Sequence, residues 1–261
     1  MNAKILVFDL ETAPIVSYTW GLFDQNVGLS QIKEDWYILA WAAKWLGDPV
    51  SKTMYMDNRN AKDPKNDKGL VMGLAKLLNE ADSIITQNGD AFDVKKLNAR
   101  AIIHGLPPIK PCRSTDILKE GRKVFKFTSH KLEYVTNVLN TKYKKLKHEK
   151  YPGFELWKAI MAGDKNAWIE MQKYCTYDVL ATEEAFQKLQ GWIKVNTPPN
   201  EVAKDQLVCR CGSTRIEGRG HSYTAVGKYQ RYRCVDCGKW WRGGVNLFTA
   251  EQRQNILRGT K

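Results

Sequence analysis

Lys4-Ile5-Leu6-Val7-Phe8-Asp9-Leu10-Glu11-Thr12 decides how the rest of this 261-residue chain is read. Lys4 to Leu10 is a continuous β-prone run, the pattern of a strand covered on both faces, yet carboxylates stand inside and beside it. Asp9 and Glu11 are two apart, so on a strand both leave the same face of the sheet. Two more acidic frames follow, Asn88-Gly89-Asp90-Ala91-Phe92-Asp93 and Tyr174-Cys175-Thr176-Tyr177-Asp178. Carboxylates set into apolar segments repel one another and lose hydration, so a fold keeps such a cluster only when cations neutralise it. The pattern predicts a site for magnesium-type cations.

Working outward, Ile38–Leu46 and Lys52–Met56 read as the next two strands, separated by the turn-like Gly47-Asp48-Pro49. Leu70, Leu74, Leu77 and Leu78 fall at helical spacing in Gly69–Ala81, Ser83–Thr86 reads as a short buried strand, and Phe92–His104 as another helix. A strand is expected around Cys112–Asp116, then a helix over Leu132–Leu139 that Ser129 or Thr128 caps. The longest helical pattern, Ala167–Trp192, follows Gly163-Asp164 and carries the third acidic frame. Three leading strands followed by strand-helix alternation is the element order of an α/β fold, a ribonuclease-H-like mixed sheet with helices on both sides. The paired prolines of Val195-Asn-Thr-Pro-Pro-Asn200 cannot continue the long helix. Residues 1–195 are therefore expected as the main domain, 196–206 as a linker, 207–247 as a cysteine module and 248–261 as a C-terminal helix and tail. Thr249-Ala-Glu-Gln252 fits a capping box that opens that helix.

The net charge of +13 is uneven: −1 over residues 1–109, +8 over 110–150, −1 over 151–200 and +7 over 201–261. Cationic tracks beside an acidic cluster suit a polyanion such as nucleic acid, whereas either patch alone reads equally as a solubilising surface. The sequence has no apolar run near the ~20 residues that span a bilayer, and no signal-peptide pattern follows Met1. A reducing cytoplasm, bacterial or of a phage-infected host, is the expected location, with no membrane partner.

Tyr174 and Asp178 are four apart and share a helix face, and Asp93 opens a helix whose N-terminus stabilises its charge. If the first strand is central and the long helix crosses its end, Asp9, Glu11, Asp93 and Asp178 converge on two hard cations. Taken singly, Asp-x-Glu could be an exposed edge, Asp93 a cap, and Tyr174/Asp178 a solvated face. Taken together, the three frames resemble the exonuclease motifs of the DEDD (DnaQ-like) superfamily, over about residues 3–190. Tyr174 marks similarity to its DEDDy branch, which includes the proofreading domains of family B DNA polymerases. The resemblance implies 3′-to-5′ exonucleolysis with two Mg²⁺ or Mn²⁺ on the four carboxylates, release of nucleoside monophosphates, and a water positioned by Tyr174. With an ordinary pKa near 10, a tyrosine is a water-orienting partner before it is a base.

The resemblance also implies that Leu10 and Thr12 hold the terminal nucleotide and that Asn88 and Phe92 lie near the 3′ end, although Phe92 reads first as core. Ser129-His130-Lys131-Leu132 resembles the segment before the family's penultimate helix. The run Lys142-Tyr-Lys-Lys-Leu-Lys-His148, with Lys145 inside it, is expected to grip phosphates, Tyr143 stacking on a base, or else to be a solvated flank.

Cys209-Arg-Cys211 and Cys234-Val-Asp-Cys237 resemble a zinc ribbon, in which one Zn²⁺ staples a segment too small to fold on its own core. The first knuckle has one intervening residue where the family has two, which leaves His221 as a substitute ligand. Cys112 and Cys175 read as ordinary buried thiols. Arg231, Arg233 and Trp241 belong to a run of cations and rings suited to nucleic acid, while Trp240 is expected to cover the zinc core. The expected function is a stand-alone 3′-to-5′ exonuclease on single-stranded or 3′-frayed DNA, of bacteriophage replication type, with a replication-protein partner for any proofreading role. An RNA exonuclease and a non-catalytic nucleic-acid or host-interaction protein are the rivals.

Overall fold

The computed structural model describes residues 3–146, 150–199 and 206–257. In chain order the elements are β1 (Ile5–Thr12), β2 (Val16–Ser17), β3 (Ile32–Glu34), β4 (Ile38–Trp45), β5 (Met54–Asp57), α1 (Lys68–Glu80), β6 (Ser83–Thr86), α2 (Asp93–Ile103), β7 (Arg113–Asp116), α3 (Ile117–Val124), α4 (Leu132–Val138), α5 (Glu155–Met161), α6 (Lys165–Leu189), β8 (Ile216–Thr224), β9 (Gly227–Cys234), β10 (Trp240–Asn246) and α7 (Ala250–Gln254). β1 is the middle strand of a sheet ordered β5-β4-β1-β6-β7. β4 runs antiparallel to both its neighbours, and β1, β6 and β7 run parallel. With helices on both faces, this is the ribonuclease-H-like mixed sheet that the element order predicts.

The two-residue period of β1 sorts its side chains. Leu6, Phe8 and Leu10 are buried with Trp41 against Leu70, Leu74 and Leu97 of α1 and α2. Val7 points the other way and is buried with Ala42 and Ile85 against Cys175, Val179 and Phe186 of α6. Each such buried apolar side chain contributes about 1.5–3 kcal/mol relative to exposure, enough in sum to hold a strand that also carries two carboxylates. Asp9 and Glu11 continue the Val7 face and so meet α6. β1 pairs with β6 only through Ile5–Val7 while its pairing with β4 runs on to Thr12. The half of β1 that carries the carboxylates therefore opens a crevice beside the end of β6, the place where α/β sheets bind ligands.

α6 is held in register over the sheet by a buried ion pair. Lys44 of β4 lies 2.7 Å from Glu183, which also accepts the Gly47 N–H at 3.0 Å. At the helix start the Asp164 carboxylate caps the Asn166 N–H at 2.8 Å.

The structure departs from the sequence reading where elements are short. α3, α5 and the β2–β3 pair are too brief to show a period, and α3 contains Gly121. α6 stops at Leu189 rather than Trp192. Lys131, not Ser129 or Thr128, is the cap residue of α4, and the Ser129 hydroxyl instead accepts the Lys131 N–H at 3.3 Å. Thr249 and Gln252 form the expected capping box of α7.

Because a buried charge left without its partner is costly, Glu183→Gln is expected to destabilise the protein by about 3–5 kcal/mol. The paired replacement Lys44→Met with Glu183→Leu is expected to recover most of that loss in denaturant unfolding.

Candidate active site

α6 lays its Tyr174–Asp178 turn across the Asp9–Glu11 face of β1. Carboxylate oxygens of Asp9, Glu11 and Asp178 all fall within 4.8 Å of one another. Asp178 is buried, whereas Asp9 and Glu11 keep partial access to solvent. Asp93 stands outside this tight group, on the β6 side, where its Oδ1 accepts the Leu10 N–H at 3.0 Å. The fourth acid therefore grips the strand between the first two acids.

The cluster is electrostatically strained. Desolvation, then Asp93, Glu11 and Asp178, push Asp9 well above the usual carboxylate range. Desolvation and Asp178 raise Glu11 to about 8, against the opposing pull of Lys145. Burial raises Asp93 to about 7 even though the Leu10 N–H favours its ionised form. The three converging carboxylates of Asp9, Glu11 and Asp178 are hard oxygen donors that fit a divalent cation of the Mg²⁺ or Mn²⁺ class.

Lys145 enters this site rather than the solvated flank. Its Nζ lies 2.9 Å from Asp178 Oδ2 and 4.7 Å from the centre of the Tyr174 ring. Burial works against the ammonium, but Asp178 and Tyr174 outweigh it and hold its pKa above the ordinary lysine value. Trp157 of α5 meets the Tyr174 ring edge-on at 6.1 Å and fixes its plane. Burial, then Glu11 and Asp178, raise the Tyr174 phenol above its ordinary pKa, so the hydroxyl stays protonated and can donate. Tyr143 is not a free stacking ring: it packs edge-on against Tyr177 at 5.8 Å, and its N–H is bound by Glu184. Lys147 and His148 lie outside the described residues.

The turn between β6 and α2 is built by a residue that motif reading passes over. Asp116, the cap of α3, accepts the Asn88 N–H at 2.9 Å together with the N–H groups of Leu118 and Lys119. Asn88 takes a left-handed φ of 69°, and a Cβ at Gly89 would run into the Thr86 side chain. An Asp directly before a helix, at a strand end, was the available signal. Asp9, Asn88, Lys131, Lys145 and Asp178 share one cleft of about 730 Å³ with Gln87, Arg122, Thr128 and His130, which the sequence reading did not assign to substrate.

Leu10 cannot offer its side chain to a nucleotide, because that side chain is buried under α1 and α2 and only its N–H faces the site. Thr12 closes β1 after a register shift and is partly exposed. Phe92, expected in the core, is 37% exposed beside Asp93.

The four cysteine sulfurs also lie within 4.8 Å of one another, a soft tetrathiolate set that fits Zn²⁺ despite the short first knuckle. Among the described residues His221 is not part of the group. It pairs with Gln230, four residues or about 13 Å along β9 from Cys234. The tryptophans exchange expected places. Trp241 donates its indole N–H to Cys209 Sγ at 3.2 Å, and Trp240 is 51% exposed. Strand alternation is the reason: Trp240 pairs with Arg233 and shares the outer face with Arg231 and Arg242, whereas Trp241 pairs with Tyr232 on the Cys234 face.

The sequence model of the RNase H superfamily matches residues 7–190. Among solved structures, a similar chain is the family B DNA polymerase from the hyperthermophilic archaeon Pyrobaculum calidifontis, at 15% identity and a TM-score of 0.47. The match covers 72% of this chain and 25% of the polymerase chain. Comparison with curated proteins finds no match.

The raised carboxylate values give the pH dependence a sign. An unfolded carboxylate ionises near pH 4, so stability present below that pH is lost as pH rises through the folded values of about 7 for Asp93 and about 8 for Glu11. A cation that binds the ionised cluster opposes this loss. The melting temperature of metal-free protein is therefore expected to fall between pH 5 and pH 8, and added Mn²⁺ to raise it more at pH 8 than at pH 5.

Proposed function

The chain belongs to the RNase H superfamily, and from that premise we propose that it is a divalent-metal-dependent 3′-to-5′ exonuclease of the DEDDy type that acts on DNA. The observation that carries this reading is the convergence of Asp9, Glu11 and Asp178 within 4.8 Å, with Tyr174 one helical turn before Asp178. Asp9, Glu11 and Asp178 would hold the cations, with Asp93 beside them. Two such ions, when bound, activate a water and stabilise the leaving oxygen of a phosphodiester.

The chain's own residues do the rest. The protonated Tyr174 hydroxyl orients the attacking water, whose oxygen bonds to phosphorus as the P–O3′ bond breaks. The departing 3′ oxygen takes up a proton, and the terminal residue is released as a nucleoside 5′-monophosphate. Lys145, carried between Asp178 and Tyr174, is placed to transfer its charge to the incoming phosphate. Lys131 lies along the cleft and meets the phosphates that follow. Asn88 and Phe92 flank the terminal nucleotide.

Residues 1–195 form the catalytic domain in this reading, 196–206 the linker and 207–247 a zinc-stapled ribbon. The ribbon's outer face carries Arg231 stacked 5.0 Å from Trp240 and Arg242 4.2 Å from Tyr229. Cations and rings on one face suit single-stranded or 3′-frayed nucleic acid. The ribbon thus orients substrate, and Trp241 is left to cover the sulfurs.

End-labelled single-stranded DNA, duplex DNA and RNA, each incubated with and without Mg²⁺ or Mn²⁺, test the proposal together. The expected products are mononucleotides released from 3′ ends, faster on DNA than on RNA, and only with the cation. Tyr174→Phe is expected to lower kcat about a hundredfold with little change in KM. Equal digestion by an Asp9→Ala variant and the parent would refute the catalytic assignment, and faster digestion of RNA would reassign the substrate.

A further inference from the structure

Between β2 and β3 the chain leaves the body of the fold as an arm. Its neck is closed by the Val16–Glu34 and Ser17–Ile32 pairs and by two hydrogen bonds between Tyr18 and Gln31, each 2.9 Å. The tip is held in a defined turn by Asp24 at a φ of 51° and by Gln25 donating to the Phe23 carbonyl at 2.7 Å. Its apolar side chains nonetheless face water: Trp20 is 98% exposed, Leu22 93% and Phe23 82%. A stiffened loop does not present such surface without something to cover it.

Three observations point to nucleobases as what covers it. First, the arm leaves β1 directly beyond the site, for Val16 is five residues from Glu11, at most about 18 Å of chain. Second, rings and a cation lead from the site to the neck. Lys96 lies 5.5 Å from the ring centre of Phe92, beside Asp93, and 3.5 Å from that of Trp36, two residues past β3. Third, residues 12–32 contain no Lys or Arg and one acid, Asp24, in a chain of net charge +13. An element without cations cannot track phosphates, but its rings can stack on base faces while the basic cleft and ribbon hold the backbone.

We propose that the arm of residues 18–29 is a base-stacking platform for the unpaired strand whose 3′ end occupies the carboxylate site, with Trp20 and Phe23 extending the Phe92–Lys96–Trp36 line. The proposal deepens the nuclease reading and rests on it. Stacking is tolerant of sequence, so the platform sets substrate form, an unpaired 3′ strand several nucleotides long, rather than base identity.

The test uses the full-length protein and two probes. Fluorescein-labelled oligo(dT) of two and twelve nucleotides, with a hydrolysis-resistant 3′-terminal phosphorothioate linkage, reports binding by anisotropy in Ca²⁺. The p-nitrophenyl ester of thymidine 5′-monophosphate in Mn²⁺ reports the carboxylate site alone. For Trp20→Ala/Phe23→Ala, 12-mer binding is expected to weaken about tenfold or more, with dinucleotide binding and ester hydrolysis as in the parent. The slope of affinity against salt is expected to stay the same, because no cation is removed. Leu22→Ser/Leu29→Ser is expected to bind the 12-mer within about twofold of the parent, which separates ring stacking from general disturbance of the arm. Unchanged 12-mer binding by the ring variant overturns the proposal and leaves a protein partner to cover the tip. Failure of the parent to hydrolyse the ester counts against the nuclease reading, while the binding comparison still decides the arm.

Discussion

Mutual repulsion among carboxylates that share one face of one strand is the constraint around which this molecule is arranged. β1 must be buried for the sheet to form, and its alternation sends Leu6, Phe8 and Leu10 to one layer of helices and Val7, Asp9 and Glu11 to the other. That second layer is α6, which brings a third acid to the same place. Desolvation makes the charges costly, so the arrangement calls for cations, and among the described residues Lys145 is paired with Asp178.

Much of the remaining architecture keeps these groups in register. The Lys44–Glu183 pair fixes where α6 crosses β4, five residues beyond Asp178. Asp93 ties the start of α2 to the backbone of β1, and Asp116 ties the preceding turn to α3. Each contact joins elements remote in sequence, so the site is a product of the tertiary fold and not of any one segment. The zinc-type module is attached at the far end of α6, where Arg210 donates to the Val195 carbonyl at 3.0 Å. Its charged outer face and its cysteine face are separated by strand alternation alone.

The sheet and the acidic cluster were legible because they violate composition locally: an acid inside an apolar strand, or on the buried stripe of a helix, stands out without a structure. The strands at Ser83–Thr86 and Ile38–Trp45 were legible from continuous β-prone runs. What stayed hidden depends on pairing. Whether Trp240 or Trp241 meets the sulfurs follows from which residue of β9 each one faces, and the sequence does not state that register. Lys145 read as one of several lysines in a basic run until the fold set it against Asp178. Asp116 read only as the end of a strand, and its tasks at the start of α3 and at Asn88 show once these segments meet. Phe92 read as core because aromatic residues usually are, and the β2–β3 arm is closed by strands too short to carry a period.

Asp9, Glu11 and Asp178 are together expected to hold a divalent cation. Anomalous diffraction from crystals soaked in Mn²⁺ tests it most directly. A manganese peak is expected at bonding distance from Asp9 and Asp178 carboxylate oxygens, with the Lys145 ammonium moved off Asp178. A map with no peak among these residues, and Lys145 still paired to Asp178 at saturating Mn²⁺, would contradict it.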